Sequence, residues 1–246
     1  MIQISQLTKQ YGDKTVLNIP SLDLQGGSSV GLVGNNGAGK TTLFSLLLDL
    51  IAPTTGQIKN RNITVNESED WKKHTAAFID ETFLIGYLTA EEYFYFIGEL
   101  RGLDKAAVDA HVNRYTDFFN DEILNQKKYL RDLSKGNQKK VGIVACFIGD
   151  PALVILDEPF ANLDPTTQIR LKEIVRELDR DPNRTILISS HDLSHVTEVC
   201  SRIVLLEKGE LVQDIQTSPQ TLKDLEAYFK QRIAPRTGVA VEPSDL

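Results

Sequence analysis

The stretch Gly34-Asn35-Asn36-Gly37-Ala38-Gly39-Lys40-Thr41-Thr42 follows directly on the apolar run Val30 to Val33. It restricts what the chain can become more than any other feature. The stretch fits G-x-x-x-x-G-K-[ST], with a strand in front and a helical pattern behind. Glycines at 34, 37 and 39 let the backbone curl so that its N–H groups point inward and cradle an anion. Lys40 adds a point charge that can follow the β- and γ-phosphates, and the Thr41 hydroxyl is placed to ligate Mg²⁺. The pattern predicts a helix from Thr41 to Ile51 whose positive N-terminal end faces the same phosphates. A glycine turn that merely caps a buried helix is the bland alternative, and the flanking strand and helix weigh against it. The stretch implies a nucleoside triphosphate site.

The rest of the composition bounds the context. At 246 residues, with 41% apolar and 25% charged side chains, the chain has the make-up of a soluble globular protein. Its net charge of −7 argues against broad, sequence-independent nucleic-acid binding. Cys146 and Cys200 sit in apolar patterns and are expected as buried free thiols. No apolar run approaches the length that spans a bilayer, so the chain is expected in the cytosol and meets a membrane only through a partner.

Alternation predicts strands over Ile2 to Leu7 and Thr15 to Leu24, and a strand pair over Gln57 to Val65. Thr75 to Ile79 is a further strand. From about 86 to 148 the pattern turns helical, which predicts a helical subdomain inserted between two strands. It holds an aromatic-rich helix, Glu91 to Arg101, and a helix from Ala106 to Phe119 with Val108, Val112, Tyr115 and Phe119 on one face. Tyr93, Phe94, Tyr95 and Phe96 are expected in the core. Lys139 to Ile148 is a helical run. The α/β pattern resumes with the all-apolar strand Leu153 to Leu156, the amphipathic helix Pro165 to Arg180, strands Thr185 to Ser189, Arg202 to Leu206 and Leu211 to Asp214, and a last helix Leu222 to Ile233. Residues 234–246 read as a loose tail after one domain spanning 1–233.

Two further sites have the chemistry of a triphosphatase. The strand before Asp157-Glu158 delivers two carboxylates. Beside a phosphate loop, the aspartate completes the Mg²⁺ shell and the glutamate orients or deprotonates water. Leu133-Ser134-Lys135-Gly136-Asn137-Gln138 precedes a helix, so Ser134 supplies a hydroxyl at a helix start, whether as an N-cap or toward an anion. His191 follows the strand Thr185 to Ser189. His74, His111 and His195 are read as ordinary surface or core histidines.

In order and spacing these motifs resemble the ATP-binding cassette family, whose signature is usually written L-S-G-G-Q. The resemblance spans roughly Ile2 to Leu225. It implies an α/β fold with a P-loop NTPase core, in which a mixed sheet surrounds the loop helix, with an N-terminal antiparallel β subdomain and an inserted helical one. It implies that Ser134 and Gly136 complete the ATP site of a second cassette. Asp164, in Ala161-Asn162-Leu163-Asp164, would reach the partner's loop, although Asp164-Pro165 is also a good N-cap followed by proline. His191 would contact the γ-phosphate, and Tyr11 would stack on adenine. Lys135 and Asn137 depart from the usual signature. A glutamine that touches Mg²⁺ in the family is replaced, counting back from Leu88-Thr89, by Asp80, with Glu81 beside it.

The resemblance implies an ATPase subunit with ATP and Mg²⁺ as ligands, with Glu158, His191 and Lys40 at the reaction. Its partners would be a second copy or a paralogous cassette and a separate permease, on the cytoplasmic face of the membrane. Bacterial single-cassette exporter subunits look most similar. The competing expectation is a soluble ATPase of the same family that acts on nucleic acid or ribosomes.

Overall fold

The computed structural model describes residues 1–233. The expected tail, 234–246, lies outside them. Ten strands form one mixed sheet. Strands β1 (Ile2–Tyr11), β2 (Lys14–Leu24), β4 (Thr55–Asn60) and β5 (Ile63–Thr64) make an antiparallel half. Strands β3 (Ser29–Val33), β6 (Thr75–Phe78), β7 (Leu153–Leu156), β8 (Thr185–Ser190) and β9 (Arg202–Glu207) run parallel. Strand β10 (Glu210–Gln216) folds back antiparallel on β9. The order across the sheet is β5-β4-β1-β2-β10-β9-β3-β8-β7-β6. The halves meet at a single β10–β2 pairing, Glu210 opposite Asn18.

The parallel strands are buried on both faces, and their period of two divides the apolar residues between two cores. Leu153, Ile155, Leu187, Val204 and Leu206 pack with helix α1 (Lys40–Leu47) and the antiparallel half. Val154, Leu156, Ile186, Ile188, Ile203 and Leu205 face the remaining helices. Those are α2 (Ala90–Leu100), α3 (Lys105–Asn113), α4 (Thr116–Phe119), α5 (Lys135–Phe147), α6 (Pro165–Leu178), α7 (Leu193–Val199) and α8 (Thr221–Ile233). Helices α2 to α5 all fall between β6 and β7.

The elements differ from the sequence expectations in instructive places. Helix α1 stops at Leu47 rather than Ile51. Asp49 takes a left-handed φ of 54°, Leu50 N–H bonds Ser45 O at 2.9 Å, and Asp49 N–H bonds Leu46 O. That is a Schellman stop with aspartate where glycine is the usual signal. The helix expected over 106–119 is broken at Arg114-Tyr115, where the Thr116 hydroxyl takes the Asn113 carbonyl at 2.9 Å. All four of its predicted facing residues are nonetheless buried. In α2 the aromatics separate: Phe94 is buried, Tyr93 and Tyr95 are half-buried, and Phe96 is exposed. Helix α7 had no expectation. It is capped by Asp192, which accepts from Ser194 N–H at 2.9 Å. Cys146 and Cys200 are buried free thiols.

Candidate functional site

The glycine loop turns out of β3 beside β9. A methyl group at Gly34 would stand 2.2 Å from the Leu206 carbonyl oxygen, which makes this a glycine position. Gly39, at φ 108°, closes the loop as N-cap of α1. Asn35, Asn36 and Gly37 form the exposed rim, and Ala38 is buried with its N–H on Asn35 O at 3.0 Å. Thr41 and Thr42 open the helix. The Lys40 side chain folds back over the loop. Its ammonium lies 2.7 Å from Gly34 O and 3.3 Å from Glu158 Oε1.

Strand β7 delivers Asp157 and Glu158 opposite this loop. Asp157 is 5% exposed. Its Oδ2 accepts the Thr41 hydroxyl at 2.6 Å and its Oδ1 accepts the Ser189 hydroxyl. Burial raises the Asp157 pKa above the ordinary aspartate value, and these two hydroxyls oppose the rise. Glu158 has a left-handed backbone, φ 46°, a conformation that costs a non-glycine residue about 1–2 kcal/mol. That turn lets its N–H bond Ser189 Oγ at 2.9 Å. Its carboxylate then meets Lys40 through Oε1 and His191 Nδ1 through Oε2, the latter at 2.9 Å. His191 N–H also reaches Oε2, at 3.3 Å.

Loop cation, hydroxyl–carboxylate pair, glutamate and histidine therefore converge within one chain. The other expected residues are placed differently. Ser134 is the N-cap of α5 and accepts from Asn137 N–H at 3.2 Å. A methyl at Gly136 would lie 3.1 Å from Asn162 O, so the signature abuts the loop that ends in Asp164. Buried Gln138 fixes the approach to Ser134 by donating to Leu130 O and Leu133 O. Asp164 spends both carboxylate oxygens on Thr167, its N–H at 3.0 Å and its hydroxyl at 2.5 Å. Tyr11 is 55% exposed, with the Lys9 ammonium 4.8 Å from its ring centre.

Among the described residues Asp80 makes no hydrogen bond to Thr41 or Asp157. Its carboxylate caps a short 3₁₀ turn, Glu81–Phe83, by accepting Thr82 N–H at 2.7 Å. The hydrogen bonds from Thr82 lower its pKa. Glu81 is the inward neighbour. Its side chain is 13% exposed and its Oε1 lies 3.7 Å from Lys139 Nζ. Counting back from Leu88-Thr89 assumes a loop of fixed length, and the carboxylate it points to is the one taken up by the cap. Ser189 and Lys139 were not foreseen in the site, and Glu81 was foreseen only as the neighbour of Asp80. Ser189 had a faint signal, as a polar residue closing a buried strand just before His191.

The loop, the carboxylate strand and the signature all lie within residues 17–161, which match the family model described as "ABC transporter". An uncharacterised ABC transporter ATP-binding protein of Methanocaldococcus jannaschii is 34% identical over 223 residues, which span 86% of this chain and 76% of that one. The bacitracin transport ATP-binding protein of Enterococcus faecalis is 32% identical over 225 residues, 89% of this chain and 70% of that one. The solved structure of an ATP-binding subunit of an ABC transporter superposes with a TM-score of 0.80 over 95% of both chains, at 28% identity. A dimeric ATP-binding cassette in a post-hydrolysis state with ADP and Pi shares the fold, with a TM-score of 0.78 over 89% of this chain and 99% of that one at 22% identity. Among the described residues no helix is long and apolar enough to cross a membrane. With the motifs, their convergence and these matches in agreement, the chain belongs to the ABC transporter family, as an ATP-binding and ATP-hydrolysing subunit.

Proposed function

We propose that two cassettes, each a copy of this chain or one copy with a paralogue, close on two ATP molecules and drive a separate permease from the cytoplasmic face of the membrane. The observation that carries the reading is the meeting of Lys40, Glu158 and His191 at one carboxylate. Phosphate oxygens entering the loop compete with Glu158 for the Lys40 ammonium. Released from that pairing, Glu158 takes a proton from the attacking water, while His191 holds its other oxygen and faces the γ-phosphate. Ser134 and Gly136 then close on the ATP of the opposite copy, with the N-terminus of α5 behind them. Asp164 spans the same junction, and exposed Tyr11 offers a ring to the adenine. Hydrolysis removes the contacts that hold the pair shut.

Thr41 and Asp157 would hold Mg²⁺, since a hydroxyl and a carboxylate oxygen 2.6 Å apart are hard donors. Among the described residues no group of three or more His, Cys, Asp or Glu could ligate a metal unaided. Phosphate and water oxygens would therefore complete the shell, the usual arrangement for this ion. When bound, Mg²⁺ supplies neutralising charge to the β- and γ-phosphates. We assign the helical segment, residues about 86–148 within a domain of 1–233, to the permease. A groove of about 740 Å³ beside it is lined by Leu50, Trp71, Phe83, Tyr93, Leu100 and Arg101. Phe83 is 60% exposed and Leu100 69%, apolar surface of the kind that a partner covers.

Sedimentation of the Glu158→Gln chain with saturating Mg-ATP and its co-expressed membrane partner tests the reading. A stable nucleotide-loaded pair of cassettes is expected, and a monomeric cassette there would defeat it.

A further inference from the structure

Lys139 is a buried cation set between two main-chain carbonyls and one carboxylate. Its side chain is 6% exposed. Its ammonium donates to Glu158 O at 2.9 Å and to Ala161 O at 3.0 Å, and faces Glu81 Oε1 at 3.7 Å. Two of its three donors are thus bound to carbonyls, and its third side faces an ion-pair partner. Burial lowers its pKa, with Glu81 and then Glu158 opposing that effect. Three segments therefore meet at one atom: the turn after β6, the end of β7, and the loop leading to Asp164.

The contact with Glu158 is the consequential one. That residue stands in the left-handed region. Its N–H is held by Ser189 and its carbonyl by Lys139. With both ends of its main chain pinned, the direction of its Cα–Cβ bond is set, and so is the approach of its carboxylate to Lys40 and His191. We propose that Lys139 is a positioning residue for hydrolysis, which holds the backbone of Glu158 in register, and that Glu81 is the counter-charge that keeps the ammonium seated. The inference rests on Glu158 being the hydrolytic carboxylate.

The pairing makes the two residues one unit. Removing Lys139 alone leaves Glu81 as an uncompensated carboxylate in a buried place. Removing both charges leaves the amide at position 139 to hydrogen-bond those carbonyls with no unpaired carboxylate drawing it away. Lys139→Gln should therefore lower kcat about tenfold or more while the ATP dissociation constant stays within about twofold, because binding runs through the loop and Lys40. The double variant Glu81→Gln/Lys139→Gln should regain most of that loss, to within about threefold of the parent.

The experiment is steady-state ATPase kinetics and ATP binding on the full chain, with Glu158→Gln assayed alongside. Loss of kcat in Lys139→Gln with recovery in the double variant supports the inference. An unchanged kcat in Lys139→Gln, or a double variant no better than the single one, overturns it. If Lys139→Gln fails to fold, Lys139→Arg decides. The planar guanidinium is larger than the ammonium it replaces and would push the Glu158 and Ala161 carbonyls off their present spacing, so a reduced kcat at unchanged ATP affinity supports the inference and a parental kcat overturns it. Activity persisting in Glu158→Gln would instead sink the catalytic reading beneath it, so the two failures are told apart.

Discussion

Ser189 donates its hydroxyl to Asp157 Oδ1, which leaves Oδ2 of that carboxylate to Thr41. The same hydroxyl accepts the N–H of Glu158 at 2.9 Å, so one fully buried side chain orients both acids of the site. Ser189→Ala would leave a carboxylate oxygen and a main-chain N–H without partners. It should cost about 1–3 kcal/mol of stability and lower kcat more than it weakens ATP binding. Thermal melts and ATPase assays on the purified chain check both effects.

Lys40 and Glu158 share an ion pair yet should fail differently. Lys40→Ala removes the loop's point charge, so ATP binding should weaken at least tenfold. Glu158→Gln should keep ATP affinity within a few-fold and reduce kcat by about 10²–10⁴. Titration of ATP by fluorescence, set beside turnover numbers, separates the two. Equal losses in both quantities for Glu158→Gln would contradict its role.

His111 should make the fold sensitive to mild acid. The imidazole is buried, and Arg114 meets its Nδ1. Burial first, and the Arg114 charge second, push its pKa from 6.5 down to about 4. A group whose folded pKa is depressed binds fewer protons folded than unfolded across that interval. Its contribution is complete above about pH 6.5 and drains away as pH falls toward 4. Asp157, whose pKa is raised by burial, works with the opposite sign, so the comparison must be between proteins rather than within one. Melting temperatures from pH 4 to 7 should fall more steeply for the parent chain than for His111→Gln.

Asp164 supports α6 whatever else it meets. Both of its oxygens hold Thr167, and Pro165 fills the next position. Asp164→Ala should cost about 0.5–2 kcal/mol through the lost cap, measurable by denaturant unfolding without nucleotide. Parental stability in that variant would mean that the cap contributes nothing.

The sequence was most readable where function rests on consecutive residues. The glycine loop and the apolar strand ending in Asp157-Glu158 each contain their own context, so strand, turn and helix could be read together. It was least readable where two distant segments share one proton donor. Nothing near Lys139 announces that its ammonium will be divided between Glu81, Glu158 and Ala161, because that meeting depends on α5 lying across β6 and β7. Asp80 and Glu81 show the same limit at closer range, since both are carboxylates and only the cap at Thr82 separates them. Helix α1 ran too long in the sequence reading because Asp49 adopts a left-handed turn that glycine ordinarily advertises. Helix α7, seven residues long, is too short for a periodic pattern.

Glu210 and Asn18 form the lone paired rung between β10 and β2, yet the two halves of the sheet are bound far more broadly beneath it. Leu17, Ile19 and Leu24 of the antiparallel half share one core with Leu43, Leu187, Val204 and Leu206, and the Arg202 guanidinium donates to the Asp23 carbonyl at 2.9 Å. Tyr11 and the Lys40 loop are therefore carried on one packed body, so a nucleotide lying between them would meet a seat whose width is fixed before it arrives.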